Sequence, residues 1–269
     1  MLINKRIFGF TLVTLGLFPL TSQAQMAPKD IVNMNISDLR QALDAGGVRA
    51  VDIVSAYISE IEKNNAHGKK LNAVIALNPD ALAQARAWDK QFAEHPVIST
   101  KTLSGIPFLA KDNFDTKGMV TSAGSVALST SKPTQDAFVI KKLLDDGAIL
   151  LGKTNMSELA ASYGWLGYSS YGGQTVNPFN PLRDASGSSS AAAVAASFAP
   201  FALGTDTSGS IRGPSSVTGV VGMRPTLGLT SRSGIVPLSL TSDDAGVITR
   251  TVEDQAIVLN VIRGEDVSD

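Results

Sequence analysis

The sequence predicts an α/β fold, and three observations support this prediction. Segments with apolar residues at helical spacing alternate with short apolar runs, which is the pattern of helices and buried strands in α/β architectures. Apolar residues make up 43% of the chain but aromatic residues only 6%, so aliphatic side chains must build the core, as suits packed α/β layers. The length of 269 residues is enough for one substantial domain or two small ones.

Helix and strand signals alternate through the first half of the chain. Ser37 can cap the first helix, which ends at Gly46-Gly47. Apolar residues at helical spacing predict the helices, and short apolar runs predict the strands. The last of these strands delivers Lys111 at its end. In order, the predicted elements are helix 38–44, helix 50–64, strand 71–77, helix 80–94 and strand 106–110.

The second half continues the alternation. Residues 189–199 are apolar on every side, which predicts a helix that is buried all round. The only segment that reads as a linker is 25–34. In order, the predicted elements are helix 136–146, strand 148–151, helix 189–199, strand 201–204, strand 219–223 and helix 251–262.

The N-terminal residues have the pattern of a secretory signal peptide. Lys5 and Arg6 precede an apolar run from Ile7 to Leu20, and Ser22-Gln23-Ala24 places small residues at the −3 and −1 positions of a cleavage site. The run is shorter than the roughly 20 residues that a membrane span needs. We therefore expect a signal peptide over 1–24, a mature domain over 25–269 and no stable membrane association after cleavage. The predicted location is the bacterial periplasm or the medium.

Composition excludes several classes of chemistry. The chain has no cysteine, which rules out thiol nucleophiles, disulfides and cysteine-ligated metals and is compatible with a periplasmic protein. Its net charge is −1, so the sequence lacks the excess of basic residues by which proteins bind the phosphates of nucleic acids. The two histidines, His67 and His95, are expected at the surface, and the adjacent pairs Asp145-Asp146 and Asp243-Asp244 are expected to be solvated charges. We therefore predict no metal site.

Three short matches to functional patterns fail in their sequence context. Residues 147–154 match the phosphate-loop pattern, but a predicted helix precedes them and their apolar centre is itself a strand, with Gly147 as the glycine after the helix. Residues 129–132 match SxxK, but Pro133 follows and the partner motifs are absent, so a polar surface loop is expected. Residues 187–191 approximate a nucleophile elbow, which requires a later histidine that this sequence lacks.

The most informative stretch is rich in serine and glycine and lies between Arg183 and Pro225. Two loops of small residues, 186–190 and 205–210, flank an almost uncharged segment. Such loops let backbone N–H groups approach a ligand and place a hydroxyl in a dry pocket. Together with Lys111 at the end of an apolar strand, they suggest serine-based acyl transfer without histidine.

Four long motifs around these residues resemble the amidase signature family, and the similarity runs from about Ile36 to Gly264. The motifs are LSGIPFLAKDNFDTKGMVTSAGS, ILLGKTNMSELA, GGQTVNPFNPLRDASGSSS and GTDTSGSIRGPSSVTGVVGMRPTLGLTSRSGIVPLS. The resemblance implies a mixed β-sheet core covered by helices. It also implies an amidase that cleaves a carbon–nitrogen bond of a linear amide, either a small molecule or a peptide, through an acyl-enzyme and with no cofactor. The predicted export argues against the relatives that act on tRNA.

The resemblance also implies a Ser–Ser–Lys triad. Lys111 is then the terminal base and Ser210 the nucleophile. The bridging serine is Ser188 by motif, whereas the family spacing points to Ser186, because the loop GSSSAAAVAA is shorter than its family counterpart. The family's bridging serine follows a cis peptide bond, which is costly outside proline. The implied oxyanion-hole donors are the N–H groups of Thr207, Ser208 and Gly209.

Simple acid–base arguments agree with these roles. A serine hydroxyl is a weak nucleophile until a base takes its proton. A lysine with a pKa of about 10.4 must lose solvent to act as that base near neutral pH. Asp112 should face away from Lys111, since consecutive strand residues point to opposite sides, and Asp206 and Arg212 are expected to pair across the nucleophile loop.

The family fold continues well beyond the triad, whereas this sequence stops at Asp269. We therefore expect the sheet to be incomplete, with an exposed edge strand and an exposed apolar face. The alternative to an amidase is an inactive remnant or a binding module of the same fold.

Overall fold

A six-stranded mixed sheet forms the centre of the protein. The structure, a computed structural model, describes residues 26–94, 101–160, 166–183, 185 and 188–269. The strands are β1 (Val74–Leu77), β2 (Pro107–Lys111), β3 (Ile149–Thr154), β4 (Tyr168–Ser169), β5 (Gly173–Gln174), β6 (Phe201–Asp206), β7 (Val221–Met223) and β8 (Asp244–Thr249). Across the sheet they lie in the order β1, β3, β2, β6, β8 and β7, and β4 pairs with β5 in a separate two-stranded ribbon.

The central strands run parallel and the outer ones antiparallel. Strand β2 pairs in parallel with both β3 and β6, whereas β1 on one side and β8 and β7 on the other are antiparallel to their neighbours. All residues of β2, β3, β6 and β8 are buried, as expected for strands covered on both faces. The predicted α/β fold with a mixed, helix-covered sheet is confirmed.

Helices pack against this sheet. The α-helices of the described ranges are α1 (Pro28–Ile31), α2 (Ile36–Asp44), α3 (Ala50–Asn64), α4 (Ala81–Glu94), α5 (Phe138–Asp145), α6 (Ser189–Ala195), α7 (Arg212–Thr218) and α8 (Val252–Ile262). Two short 3-10 turns cover Val126–Leu128 and Glu158–Ala160. Helix α6 contacts the four central strands β2, β3, β6 and β8, and α8 contacts β8 and β7.

The parallel pairing of β2 and β6 positions the site. Parallel neighbours end at the same edge of a sheet. Ala110 of β2 pairs with Leu203 of β6, so Lys111 at the end of β2 lies at the edge where β6 ends with Asp206. The loop 207–210 leaves β6 at this point and leads into α7. The two segments that the sequence singled out are thus brought together by strand pairing.

Several predicted elements need correction. The N-cap of α2 is Asn35, whose side chain accepts the N–H of Asp38 at 2.7 Å, whereas the Ser37 hydroxyl donates to Glu253 at 2.7 Å. The supposed linker 25–34 contains α1. Strand β8 and helix α7 were not predicted, and α6 is shorter than the predicted helix 189–199. The contact between Ser37 and Glu253 cannot be predicted from the local sequence, because α8, which carries Glu253, comes next to α2 only when the chain folds.

The sequence interpretation of residues 147–154 and 129–132 is confirmed. Strand β3 occupies the apolar centre of the phosphate-loop match, and Gly147 follows α5 with a φ of +86°. Residues 129–132 lie after a 3-10 turn and are half-buried or exposed. His67 is exposed, while His95 and the predicted signal peptide 1–24 lie outside the described residues. Within the described ranges, no helix has the length and apolar character to cross a membrane.

Replacing Gly147 with alanine is expected to destabilise the protein by about 1–3 kcal/mol, since its left-handed φ strains any side chain. A Cβ at Gly147 would also lie 2.7 Å from Ser104 Oγ. Gly118→Ala is the matched control, because Gly118 has the same φ of +86° but no atom within 4 Å of a built Cβ. Urea denaturation of both variants should show the larger loss for Gly147→Ala, and equal losses would mean that the contact with Ser104 costs nothing.

Candidate active site

Lys111 is the buried base candidate. Its side chain is fully buried, and its Nζ donates to the Thr205 hydroxyl at 2.7 Å and approaches the Thr205 carbonyl at 3.5 Å. Burial lowers its pKa from 10.5 to about 8, against the opposing pull of Asp206 and Asp243. The loss of solvent that a lysine base requires is therefore provided by the position of Lys111. Asp112 points elsewhere, as predicted, and contacts Ser122 and Lys153.

Thr205 is a site residue that sequence reasoning missed. Its hydroxyl lies between Lys111 Nζ and the Asn113 side-chain amide, which donates to it at 3.0 Å. Asn113 Oδ1 is buried and has no hydrogen-bond partner among the described residues. The available signal was the position of Thr205 next to Asp206, at the end of an apolar run and before the small-residue loop.

Ser210 lies in the loop that follows β6 and is half-buried. This loop is folded around the Asp206 carboxylate, which accepts the N–H groups of Gly209 at 2.7 Å, Ile211 at 3.2 Å and Arg212 at 3.3 Å. The Arg212 side chain pairs with the same carboxylate at 3.0 Å, so the predicted Asp206–Arg212 pair is confirmed. Burial alone would raise the pKa of Asp206, but these hydrogen bonds outweigh it and hold the pKa well below its ordinary value.

Ser188 occupies the N-cap of α6. It is fully buried, and its hydroxyl has no hydrogen-bond partner among the described residues. A Cβ built on Gly204 would lie 3.3 Å from Ser188 Oγ, so the hydroxyl lies against β6. The alternative bridging residue Ser186, and the peptide bond that precedes Ser188, involve positions outside the described residues.

The hydroxyls of the other two described serines of this loop, Ser189 and Ser190, already form hydrogen bonds with neighbouring residues. Ser189 Oγ is 2.7 Å from Thr175 Oγ1. Ser190 Oγ is 2.8 Å from Thr154 Oγ1 and donates to the Leu203 carbonyl at 2.8 Å. Ser188 is thus the serine of the described part of this loop whose hydroxyl is left without a partner. Hydrogen bonds of the described residues link Lys111 to Thr205 rather than to Ser188 or Ser210.

A second buried lysine, Lys153 of β3, lies one strand away from Lys111. Its Nζ is 3.5 Å from the Asp112 carboxylate and donates to the Phe114 carbonyl at 2.6 Å. The hydroxyls of Thr116 and Thr121 each lie 3.2 Å from it. Burial lowers the pKa of Lys153 to about 8, while Asp112 opposes the shift.

The pair Asp243-Asp244 is not solvated, contrary to the sequence expectation. Both side chains are buried, and burial raises the pKa of Asp244 to about 6 although Arg224 opposes the shift. Asp243 accepts the hydroxyl of Thr207 and the N–H of Leu238 at 2.7 Å. The reason lies in the tertiary structure, because β8 begins at Asp244 and pairs with β6 beside the loop 207–210. No group of three or more acidic, histidine or cysteine side chains in the described ranges is arranged to hold a metal ion.

The fold and the site together define an α/β domain in which a buried lysine at one strand end lies beside a serine-bearing loop at the next. The sequence profile of the Amidase family matches residues 52–269, and the chain belongs to the amidase signature family.

Individual relatives agree with this assignment. The chain is 38% identical over 246 residues to a glutamyl-tRNA(Gln) amidotransferase subunit of Neorickettsia sennetsu, covering 89% of this chain and 50% of the relative. It is 40% identical over 244 residues to a probable amidase of Arabidopsis thaliana, covering 88% and 47%. The solved peptide amidase of Stenotrophomonas maltophilia is 42% identical with a TM-score of 0.84, covering 88% and 49%. The chain therefore spans about half the length of the relatives it matches.

Proposed function

We propose that this chain carries the catalytic centre of an amide-bond hydrolase of the Ser–Ser–Lys type. The observation that supports it most is the burial of Lys111, with its lowered pKa, at the strand end beside the loop that bears Ser210. The family membership and the likeness to a peptide amidase point to the same reaction. The substrate we propose is a linear amide, either a small molecule or a peptide, and we retain export to the periplasm or medium as part of the proposal.

The proposed reaction begins when Ser210 Oγ attacks the amide carbonyl carbon. Its proton passes to Ser188 Oγ, whose own proton passes to the neutral amine of Lys111. For this step Lys111 Nζ, which donates to Thr205 in this structure, would have to turn toward Ser188. The tetrahedral intermediate then collapses, the carbon–nitrogen bond breaks, and the leaving amine takes a proton from Ser188, which Lys111 replaces. Water repeats the sequence on the acyl-enzyme and releases the acid. Ser188 is preferred to Ser186 as the bridge because the preceding segment NPFNPLRD keeps the family register. The buried Ser188 hydroxyl, which lacks a partner among the described residues, is compatible with this role.

The negative charge on the intermediate would be held by the N–H groups of Thr207, Ser208 and Gly209. Preorganised donors of this kind are worth about 2.7–4 kcal/mol each in the transition state. The Gly209 N–H donates to Asp206 in this structure, so it would have to turn toward the substrate or share its hydrogen. Thr207 and Ser208 are therefore the principal donors in this proposal.

Covalent labelling with a fluorophosphonate probe tests the nucleophile. We expect the folded wild-type chain to be labelled at Ser210 and Ser210→Ala to be unlabelled. Ser129→Ala is the control, because it removes the serine of the SxxK match and should leave labelling unchanged. Mass spectrometry of the labelled peptide identifies the modified residue.

The outcomes separate the proposal from its alternative. The alternative is an inactive remnant or a binding module of the same fold. A soluble, folded wild-type chain that stays unlabelled would contradict the amidase proposal and support that alternative. Labelling that persists in Ser210→Ala would contradict the assignment of the nucleophile.

A further inference from the structure

Arg224, which follows β7, lies against the backbone of the nucleophile loop. Its side chain is 23% exposed. Nη1 donates to two consecutive backbone carbonyls, that of Asp206 at 2.9 Å and that of Thr207 at 3.0 Å. Nη1 also lies 3.4 Å from the Asp206 carboxylate, so this guanidinium binds the loop backbone in addition to pairing with a side chain.

Because the peptide unit is planar, these two contacts also determine the direction of the N–H groups in the same peptide units. In a trans peptide the carbonyl of one residue and the N–H of the next point in opposite directions. The Asp206 carbonyl shares its peptide plane with the N–H of Thr207, and the Thr207 carbonyl shares its plane with the N–H of Ser208. A group that holds both carbonyls on one side therefore directs both N–H groups to the other side.

Further contacts hold the guanidinium in place. Nη2 donates to the Ser242 carbonyl at 2.8 Å, and Nε lies 3.6 Å from the Asp244 carboxylate. The Asp243 carboxylate next to it accepts the Thr207 hydroxyl. The loop is thus anchored through its carbonyls and its threonine side chain, and its first two N–H groups take no part in that anchoring.

We propose that Arg224 is the positioning residue of the oxyanion hole. It directs the N–H groups of Thr207 and Ser208 toward the substrate carbonyl and polarises both peptide units by binding their oxygens. This inference rests on the proposed amide hydrolysis and adds to it a residue that does not touch the substrate. A planar guanidinium suits the task, since its fork of donors reaches several oxygens at fixed angles, which an ammonium does not.

Steady-state kinetics test the consequence for catalysis. The oxyanion forms only after attack, so the loss of Arg224 should lower kcat and leave KM nearly unchanged. We expect Arg224→Met to lower kcat about 10- to 100-fold, less than or similar to the removal of one oxyanion donor, with KM within about threefold. Arg224→Lys should retain more of kcat than Arg224→Met.

Arg232→Met is the matched control. Arg232 is also part-buried and pairs with Asp269 at 2.6 Å. Among the described residues, its hydrogen bonds go to Asp269 and to the Leu240 carbonyl rather than to residues 206–210. Its kcat should stay within about twofold of wild type, as expected for a substitution away from the reacting groups. A kcat for Arg224→Met equal to that of Arg232→Met would overturn the inference, and so would a rise in KM with kcat unchanged.

Backbone NMR tests the peptide orientation independently of activity. In Arg224→Met, the amide ¹H and ¹⁵N resonances of Thr207 and Ser208 should move well beyond those of the rest of the domain, because their peptide oxygens lose a charged donor. In Arg232→Met they should stay in place. Unmoved Thr207 and Ser208 resonances in a folded Arg224→Met or Arg224→Lys protein would overturn the inference even if the wild type is inactive.

The two experiments also separate the inference from the proposed function. A wild-type chain without hydrolysis or labelling, but with the expected amide shifts, contradicts the amidase while the positioning of the peptide units stands. An active wild type whose Arg224 variants shift the amides without losing kcat contradicts the role of Arg224 and leaves the amidase intact.

Discussion

Replacing Lys111 with methionine is expected to lower the proposed amide hydrolysis sharply and to stabilise the folded chain at neutral pH. The activity should fall by about 10²–10⁴-fold, the contribution of a positioned general base. The stability should rise because a buried ammonium is costly, and Lys111 lacks a carboxylate within ion-pair distance among the described residues. Methionine has a similar length and carries no charge.

The pH dependence of this gain follows from the lysine pKa. The folded pKa is about 8 against an ordinary value of 10.5, so between these values the unfolded chain binds more protons and stability rises with pH. The cost of the buried ammonium is fully present below pH 8 and disappears above about pH 10.5. It amounts to roughly 3 kcal/mol, at 1.36 kcal/mol per pKa unit.

Urea denaturation of wild type and Lys111→Met at pH 7 and pH 10.5 measures the difference in the free energy of unfolding between them. In the wild type, kcat/KM across the same pH range should rise to a plateau above pH 8. Lys141→Met is the control, since Lys141 is an exposed lysine paired with Asp145 and should change neither stability nor activity appreciably. A Lys111→Met protein that is less stable than wild type at pH 7 would show that the ammonium is stabilised in place.

Replacing Lys153 with methionine should have the opposite effect on stability, with a loss of about 3–5 kcal/mol, the usual result of removing one partner of a buried ion pair. Burial lowers the pKa of both lysines to about 8, so the ammonium of each is costly. The sign differs because Lys153 has a buried carboxylate at 3.5 Å and three further oxygen acceptors, which would lose their donor. Methionine would leave the Asp112 carboxylate and the Phe114 carbonyl without that donor.

A double-mutant cycle isolates the ion pair from the other contacts. Asp112→Asn keeps an oxygen that can accept the N–H groups of Ser122 and Gly124 but removes the charge. The double variant Lys153→Met/Asp112→Asn should be more stable than the sum of the two single losses predicts, because contacting residues are coupled. Additive losses, or a Lys153→Met protein as stable as wild type in urea denaturation, would contradict a coupled pair.

Much of the fold could be predicted because its signals are local. Helix α3 begins and ends at the predicted residues, since its apolar spacing and opposite charged face specify it without reference to the rest of the chain. Strand β8 was missed because its pairing partner, β6, is far away in sequence and its polar neighbours hide a short apolar run. The N-cap of α2 was assigned two residues late, since Asn35 and Ser37 are both capable caps and only the folded chain shows that Ser37 contacts Glu253.

The features of the candidate site can also be separated into those with a local sequence signal and those that depend on the folded chain. The sequence by itself determined the family, the lysine at a strand end and the serine-bearing loop, because each lies within a contiguous motif. The triad, the oxyanion-hole donors and the signal peptide stay predictions. Only the tertiary structure decided that Thr205 contacts Lys111, that Asp243 and Asp244 are buried, and that Arg224 binds the Asp206 and Thr207 carbonyls. These contacts join segments brought together by pairing of β6 with β2 and β8, and burial or hydrogen bonding between distant segments leaves no local pattern in a single sequence.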